Sequence, residues 1–129
     1  MRTLEFIAAG KTWHLCLNGA ALFNAYDKFG QEKSLVEHVT GSDKASFLAT
    51  CWFLAELATQ GELVRRYQGH DHGPIPTEQT FRVGLSPLEI PAAKQAVQRA
   101  MLMGFMRDEL EDGPVDLGLA ELQKKTAPG

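Results

Sequence analysis

The chain is poor in the features that announce most kinds of function. Only two of its 129 residues are cysteines, Cys16 and Cys51, and neither sits in a Cys-x-x-Cys or Cys/His spacing. That argues against a disulfide-built scaffold and the common zinc modules. It points instead to two buried, reduced thiols, with a Cys16–Cys51 disulfide as the alternative. No apolar run approaches the roughly 20 residues of a membrane span, and residues 1–9 alternate rather than form the apolar block of a secretory signal. A basic excess is missing too, since 13 Lys and Arg face 16 Asp and Glu for a formal net charge of -3. Nucleic-acid binding needs a concentrated basic face, so no nucleic-acid partner is expected. Arg65-Arg66 is more simply placed at a helix end, where cations favour the dipole. There is no Gly-x-Ser-x-Gly elbow, and Gly10-Lys11-Thr12 lacks the glycine spacing of a phosphate loop.

What is present suits one ordinary domain. With 44% apolar and 22% charged residues, a chain of this size can bury roughly two-thirds of the surface its unfolded form exposes. The patterning predicts an α+β fold, an N-terminal β-hairpin packed on a mainly helical domain of about four helices. Residues 1–113 are expected to form that single domain and residues 114–129 a flexible acidic and polar tail.

The hairpin is predicted from residues 3–7 and 12–17, with Leu4 and Phe6 on one face of the first run and Trp13, Leu15 and Leu17 on one face of the second. Asn18 then stands as a helix cap and Gly30 as a terminator, with Leu22, Phe23, Tyr26 and Phe29 facing a core. A short helix over residues 34–39 turns Leu35, Val36 and Val39 inward, and Ser42 is expected to cap the next helix. Residues 44–67 carry the central helix, its stripe running through Phe47, Leu48, Cys51, Trp52, Leu54, Ala55 and Ala58. Gly61 predicts a kink or break, and beyond it Arg65 and Arg66 turn to water. Residues 69–76 form a surface loop, and residues 80–85 are expected to be briefly extended. Ser86-Pro87-Leu88-Glu89 fits a capping box, with Leu85 and Ile90 as its hydrophobic staple. Pro91 predicts that the first turn is separate and the main helix starts there. In that last helix Ala93, Val97, Ala100, Met101, Gly104 and Phe105 make one stripe, widened by Leu102, Met106 and Leu110.

Candidate chemistry is sparse. His70-Asp71-His72 is the one cluster that invites a metal or acid/base role, but a zinc site needs three or four ligands, and His14 and His38 lie on other elements. A solvated loop is the simpler account, and neither a cofactor nor an enzymatic activity is expected. The methionines are more suggestive. Met101, Met103 and Met106 crowd one helix, and thioethers either fill gaps in a core or adapt to a partner helix. Directly after it Asp108, Glu109, Glu111, Asp112 and Asp116 concentrate negative charge. Met101, Leu102, Phe105, Met106 and Leu110 are therefore the candidate partner-binding residues, with the acidic run keeping the complex in solution.

Several stretches together resemble a known family. They are the start Met1-Arg2-Thr3-Leu4-Glu5-Phe6, the passage Trp13-His14-Leu15-Cys16-Leu17-Asn18-Gly19-Ala20-Ala21-Leu22 leading to Tyr26-Asp27-Lys28-Phe29-Gly30, the helix start Leu85-Ser86-Pro87, and the ending Asp116-Leu117-Gly118-Leu119-Ala120-Glu121-Leu122-Gln123-Lys124-Lys125-Thr126. In these the chain resembles the small tail assembly chaperones of long-tailed bacteriophages and prophages. The resemblance implies a non-enzymatic role in the host cytoplasm, outside the mature virion. The implied partners are the tape-measure protein and, beside it, the major tail protein. It further implies a longer form made by translational frameshifting, for which Lys124-Lys125 is a suitable codon context. Homo-oligomerisation stays open, as do two other readings, a head-to-tail connector and a small metal-dependent enzyme using the His70 to His72 loop.

Overall fold

A computed structural model describes residues 2–106. The expected α+β architecture is present, a two-stranded antiparallel hairpin followed by four helices. Strands β1 (Leu4–Ala8) and β2 (Lys11–Leu15) pair with Leu4 opposite Leu15 and Ala8 opposite Lys11. Ala9 (φ 51°) and Gly10 (φ 76°) close the turn. Positive φ at both central positions matches the twist of the flanking strands, and glycine adopts it freely while alanine does so at a cost of about 1 kcal/mol. The Trp13 indole N–H donates to the Ala8 carbonyl at 2.9 Å, and its ring meets Phe81 edge-on at 5.2 Å.

Helix α1 (Gly19–Phe29) begins and ends where its caps predict. Asn18 Oδ1 accepts from the Ala21 N–H at 2.9 Å, and Gly30 (φ 81°) returns its N–H to Tyr26. The Asn18 amide also donates to Gln60 Oε1 at 3.1 Å, tying this cap to the central helix α2 (Lys44–Tyr67). The cap of α2 is Asp43 rather than Ser42: its carboxylate accepts from the Ser46 N–H at 3.0 Å. Phe53, Leu54, Leu57 and Cys51 of α2 are fully buried, and Phe29 of α1 stacks on Phe53 at 5.2 Å.

Gly61 neither kinks nor breaks α2, which runs unbroken to Tyr67. The residue is small because β2 crosses the helix there. A Cβ on Gly61 would lie 1.7 Å from the His14 carbonyl oxygen, and the Cys16 N–H donates to the Leu57 carbonyl at 3.0 Å. Residues 80–84 are not extended either; only Leu85, the C-cap, is. They belong to α3 (Glu78–Gly84), opened by a reciprocal Thr77–Thr80 capping box that presses Phe81 into the core. After a 3₁₀ turn at Pro87–Glu89, in which Glu89 Oε1 accepts from the Ser86 N–H at 2.9 Å, comes α4 (Ile90–Phe105), capped by Met106, the last described residue. The turn is separate from α4, as Pro91 predicts, although the helix itself starts one residue earlier. Ala93, Ala96, Val97, Ala100 and Met101 pack α4 into the core.

Gly61→Ala is expected to lose about 3 kcal/mol or more, because backbone rather than a pliable side chain meets the new methyl group. Denaturant unfolding of the full chain checks this.

Candidate functional site

The five residues expected to bind a partner do not share one surface. Met101 is 1% exposed and belongs to the core, a correction that follows from helical geometry: it lies one turn beyond Val97 and next to Ala100 on the inward face. Leu102, Phe105 and Met106 stand at 62%, 62% and 53% exposure. They form a second stripe at i, i+3 and i+4, rotated away from the first. Leu110 lies outside the described residues. The broad apolar stripe of α4 is thus two stripes, one buried and one bare.

The bare stripe borders a groove of about 350 Å³ between α4 and the segment after α1. Leu102 and Phe105 form one wall, residues 31–36 the other, and Tyr26 and Met101 complete the lining. Phe23, 63% exposed, meets Tyr26 edge-on at 5.8 Å and extends the apolar band along α1. Val36, which the periodicity turned inward, is instead exposed on this wall, while Leu35 and Val39 are buried. Residues 36–39 form a 3₁₀ turn rather than the expected longer helix. A run of bare aromatic and aliphatic side chains at a concave site is the kind of surface that marks a protein interface.

The loop after α2 is organised by a residue the sequence reading passed over. Glu62 is 5% exposed, and its carboxylate accepts from the Gly73 N–H at 2.6 Å and from Arg66 Nε at 2.9 Å. Arg66 Nη2 donates in turn to the Gly73 carbonyl at 3.0 Å, and Arg65 stands 3.7 Å from the same carboxylate. Burial pushes the Glu62 carboxyl up, but the Gly73 N–H and the arginines outweigh it and hold the group below its ordinary value. Arg65 and Arg66 therefore turn toward Glu62 instead of simply to water. The legible signal was an acid followed three and four residues later by arginine. His70, Asp71 and His72 ride on this loop with exposed side chains, and among the described residues no cluster of three or more His, Cys, Asp or Glu is placed to hold a metal ion.

Among the described residues, Ser46 and Lys94 come nearest to a nucleophile–base pair. Lys94 Nζ donates to Ser46 Oγ and to the Gly41 carbonyl, and Ser46 Oγ donates to that carbonyl at 2.9 Å. Burial lowers the Lys94 pKa, opposed by Asp43. The ammonium acts as a donor to both oxygens, so the trio clasps α4 to the start of α2. Cys16 and Cys51 are both buried and neither is disulfide-bonded; burial pushes the Cys51 thiol up to about 11. Among the described residues no helix is long and apolar enough to cross a membrane. No protein-family model, curated protein or solved structure matches the chain.

Glu62→Gln is expected to cost about 1–3 kcal/mol by breaking a buried charged hydrogen-bond set. In the parent, the lowered carboxyl contributes stability that is complete above its ordinary value of 4.5 and is lost as pH falls through its depressed folded value. Urea unfolding between neutral pH and the acid range checks both, and the variant's curve should be flatter across that window.

Proposed function

We propose that this protein is a tail assembly chaperone of a long-tailed bacteriophage or prophage. In this role it binds the tape-measure protein in the host cytoplasm and keeps that long, helix-rich client in solution until tail-tube subunits assemble around it. The resemblance supplies the role. The observation that carries the reading physically is the bare Leu102–Phe105–Met106 stripe beside an apolar groove, with Phe23 and Tyr26 continuing it. A helix-binding chaperone needs such a surface: client anchors spaced at i, i+3, i+4 and i+7 lie along a groove of this kind. The role is non-enzymatic and calls for no cofactor. The major tail protein is the further partner in this reading.

The site within this reading is Leu102, Phe105 and Met106, with Tyr26 and Val36 across the groove; Met101 is excluded because its side chain serves the core. Co-expression with the tape-measure product encoded beside the gene tests it. Leu102→Asp with Phe105→Asp, or Met106→Glu, is expected to move the client from the soluble to the insoluble fraction while the chaperone's own melting temperature stays within a few degrees, since all three side chains are exposed. Unchanged client solubility in all these variants overturns the assignment of the groove.

A further inference from the structure

The two edges of the hairpin meet different fates. With Ala8 paired to Lys11 across the Ala9-Gly10 turn, the rungs that exchange backbone hydrogen bonds are Ala8–Lys11, Phe6–Trp13 and Leu4–Leu15, because bonded and non-bonded pairs alternate along an antiparallel ladder. The N–H and C=O of Glu5 and Ile7 therefore point away from β2, as those of His14 point away from β1. On the β2 side this outward row runs into α2: the His14 carbonyl closes on Gly61, and the Cys16 N–H donates to Leu57. On the β1 side the N–H and C=O of Glu5 and Ile7 have no partner among the described residues. Both residues are exposed, Ile7 at 73%. Such an edge is a row of backbone donors and acceptors at strand spacing, a template that another extended chain matches group for group.

The side chains beside the edge select among strands. Glu5 and Ile7 are two positions apart and share the outer face of the hairpin, while Leu4, Phe6 and Ala8 pack on the core. An added strand sets one residue directly opposite each of them, where an apolar neighbour suits Ile7 and a cation suits Glu5, whereas an anion opposite Glu5 is unfavourable. A second copy offers no such match. Strand β1 carries no cation, and pairing it two-fold about Phe6 sets Ile7 of each copy against Glu5 of the other, while pairing about Glu5 sets the two carboxylates face to face.

We propose that the outer edge of β1 docks an extended segment of another protein, added antiparallel as a third strand, with an apolar residue opposite Ile7 and, two positions later, Lys or Arg opposite Glu5. This surface shares no residue with the α4 groove, and the inference goes beyond the chaperone reading without depending on it.

Amide hydrogen exchange on the full chain, read by NMR, tests it. In the free protein the Glu5 and Ile7 amides should exchange freely while those of Phe6 and Ala8, bonded to β2, are slowed. Two extended peptides of about seven residues, enough to span β1, are then added, identical except for a central Val-Thr-Lys or Val-Thr-Glu. The Lys peptide should slow the Glu5 and Ile7 amides and bind at least about threefold more tightly than the Glu peptide. Glu5→Lys, a change at an exposed side chain, should reverse that preference, and methylating the peptide nitrogens that face β1 should abolish binding. No protection at about 1 mM peptide, a Lys preference that survives Glu5→Lys, or unchanged binding of the methylated peptide overturns the proposal. So do Glu5 and Ile7 amides already slowed in the free protein, whether at every concentration, which means that the chain covers its own edge, or only as concentration rises, which means that a second copy does. None of these outcomes touches client solubility through Leu102 and Phe105, so the chaperone reading stands or falls separately.

Discussion

The crossing of β2 over α2 is the contact on which the other parts depend. The strand comes down on the helix so closely that the His14 carbonyl occupies the space a side chain at position 61 would need, and the Cys16 N–H is satisfied by a carbonyl of the helix rather than by a third strand. A two-stranded hairpin is marginal alone in water. Here it is held on one side by that crossing and on another by Trp13 against Phe81 of α3. The crossing joins residues distant in sequence, so the hairpin is fastened only once α2 is in place, and loop closure must precede the contact that rewards it. One residue past Gly61, Glu62 gathers the following loop, so a single turn of α2 organises both the strand before it and the chain after it.

Much of this was legible where local chemistry decides local structure. The Asn18 cap, the Gly30 terminator, the Ser86–Glu89 box and the hairpin all follow from side chains satisfying backbone groups within a few residues. The misreadings share a different cause. Gly61 has a low helix propensity, yet it sits in an unbroken helix because a strand more than forty positions earlier in the chain needs the room. The Thr80–Gly84 segment alternates like a strand, but a threonine cap at Thr77 and the demand for Phe81 in the core make it helical. In both, a contact outside the window of inspection outweighed intrinsic preference.

The site was legible to the same depth. Periodicity located the helix and the apolar character of its carboxyl-terminal half, but it could not separate Met101 from Leu102, because a broad stripe looks the same whether one face or two are covered. Only the packing of Val97, Ala100 and Met101 against the core shows that α4 spends its inward face there and leaves the adjacent face bare. Val36, three residues before the buried Val39, stands on the groove instead of in the core. The histidine loop drew notice by composition, whereas the residue that organises it, Glu62, lay in an amphipathic pattern where an acid normally faces solvent.

The two cysteines have a practical consequence. With its thiol pushed up to about 11, Cys51 is ionised in only about one molecule in ten thousand near neutral pH, and the thiolate is the reactive form. Cys16 is buried as well. The protein therefore carries a chemically quiet background, against which a cysteine introduced on the groove wall would be alkylated selectively. A spectroscopic label can then report on occupancy of this surface without removing either native sulfur from the core.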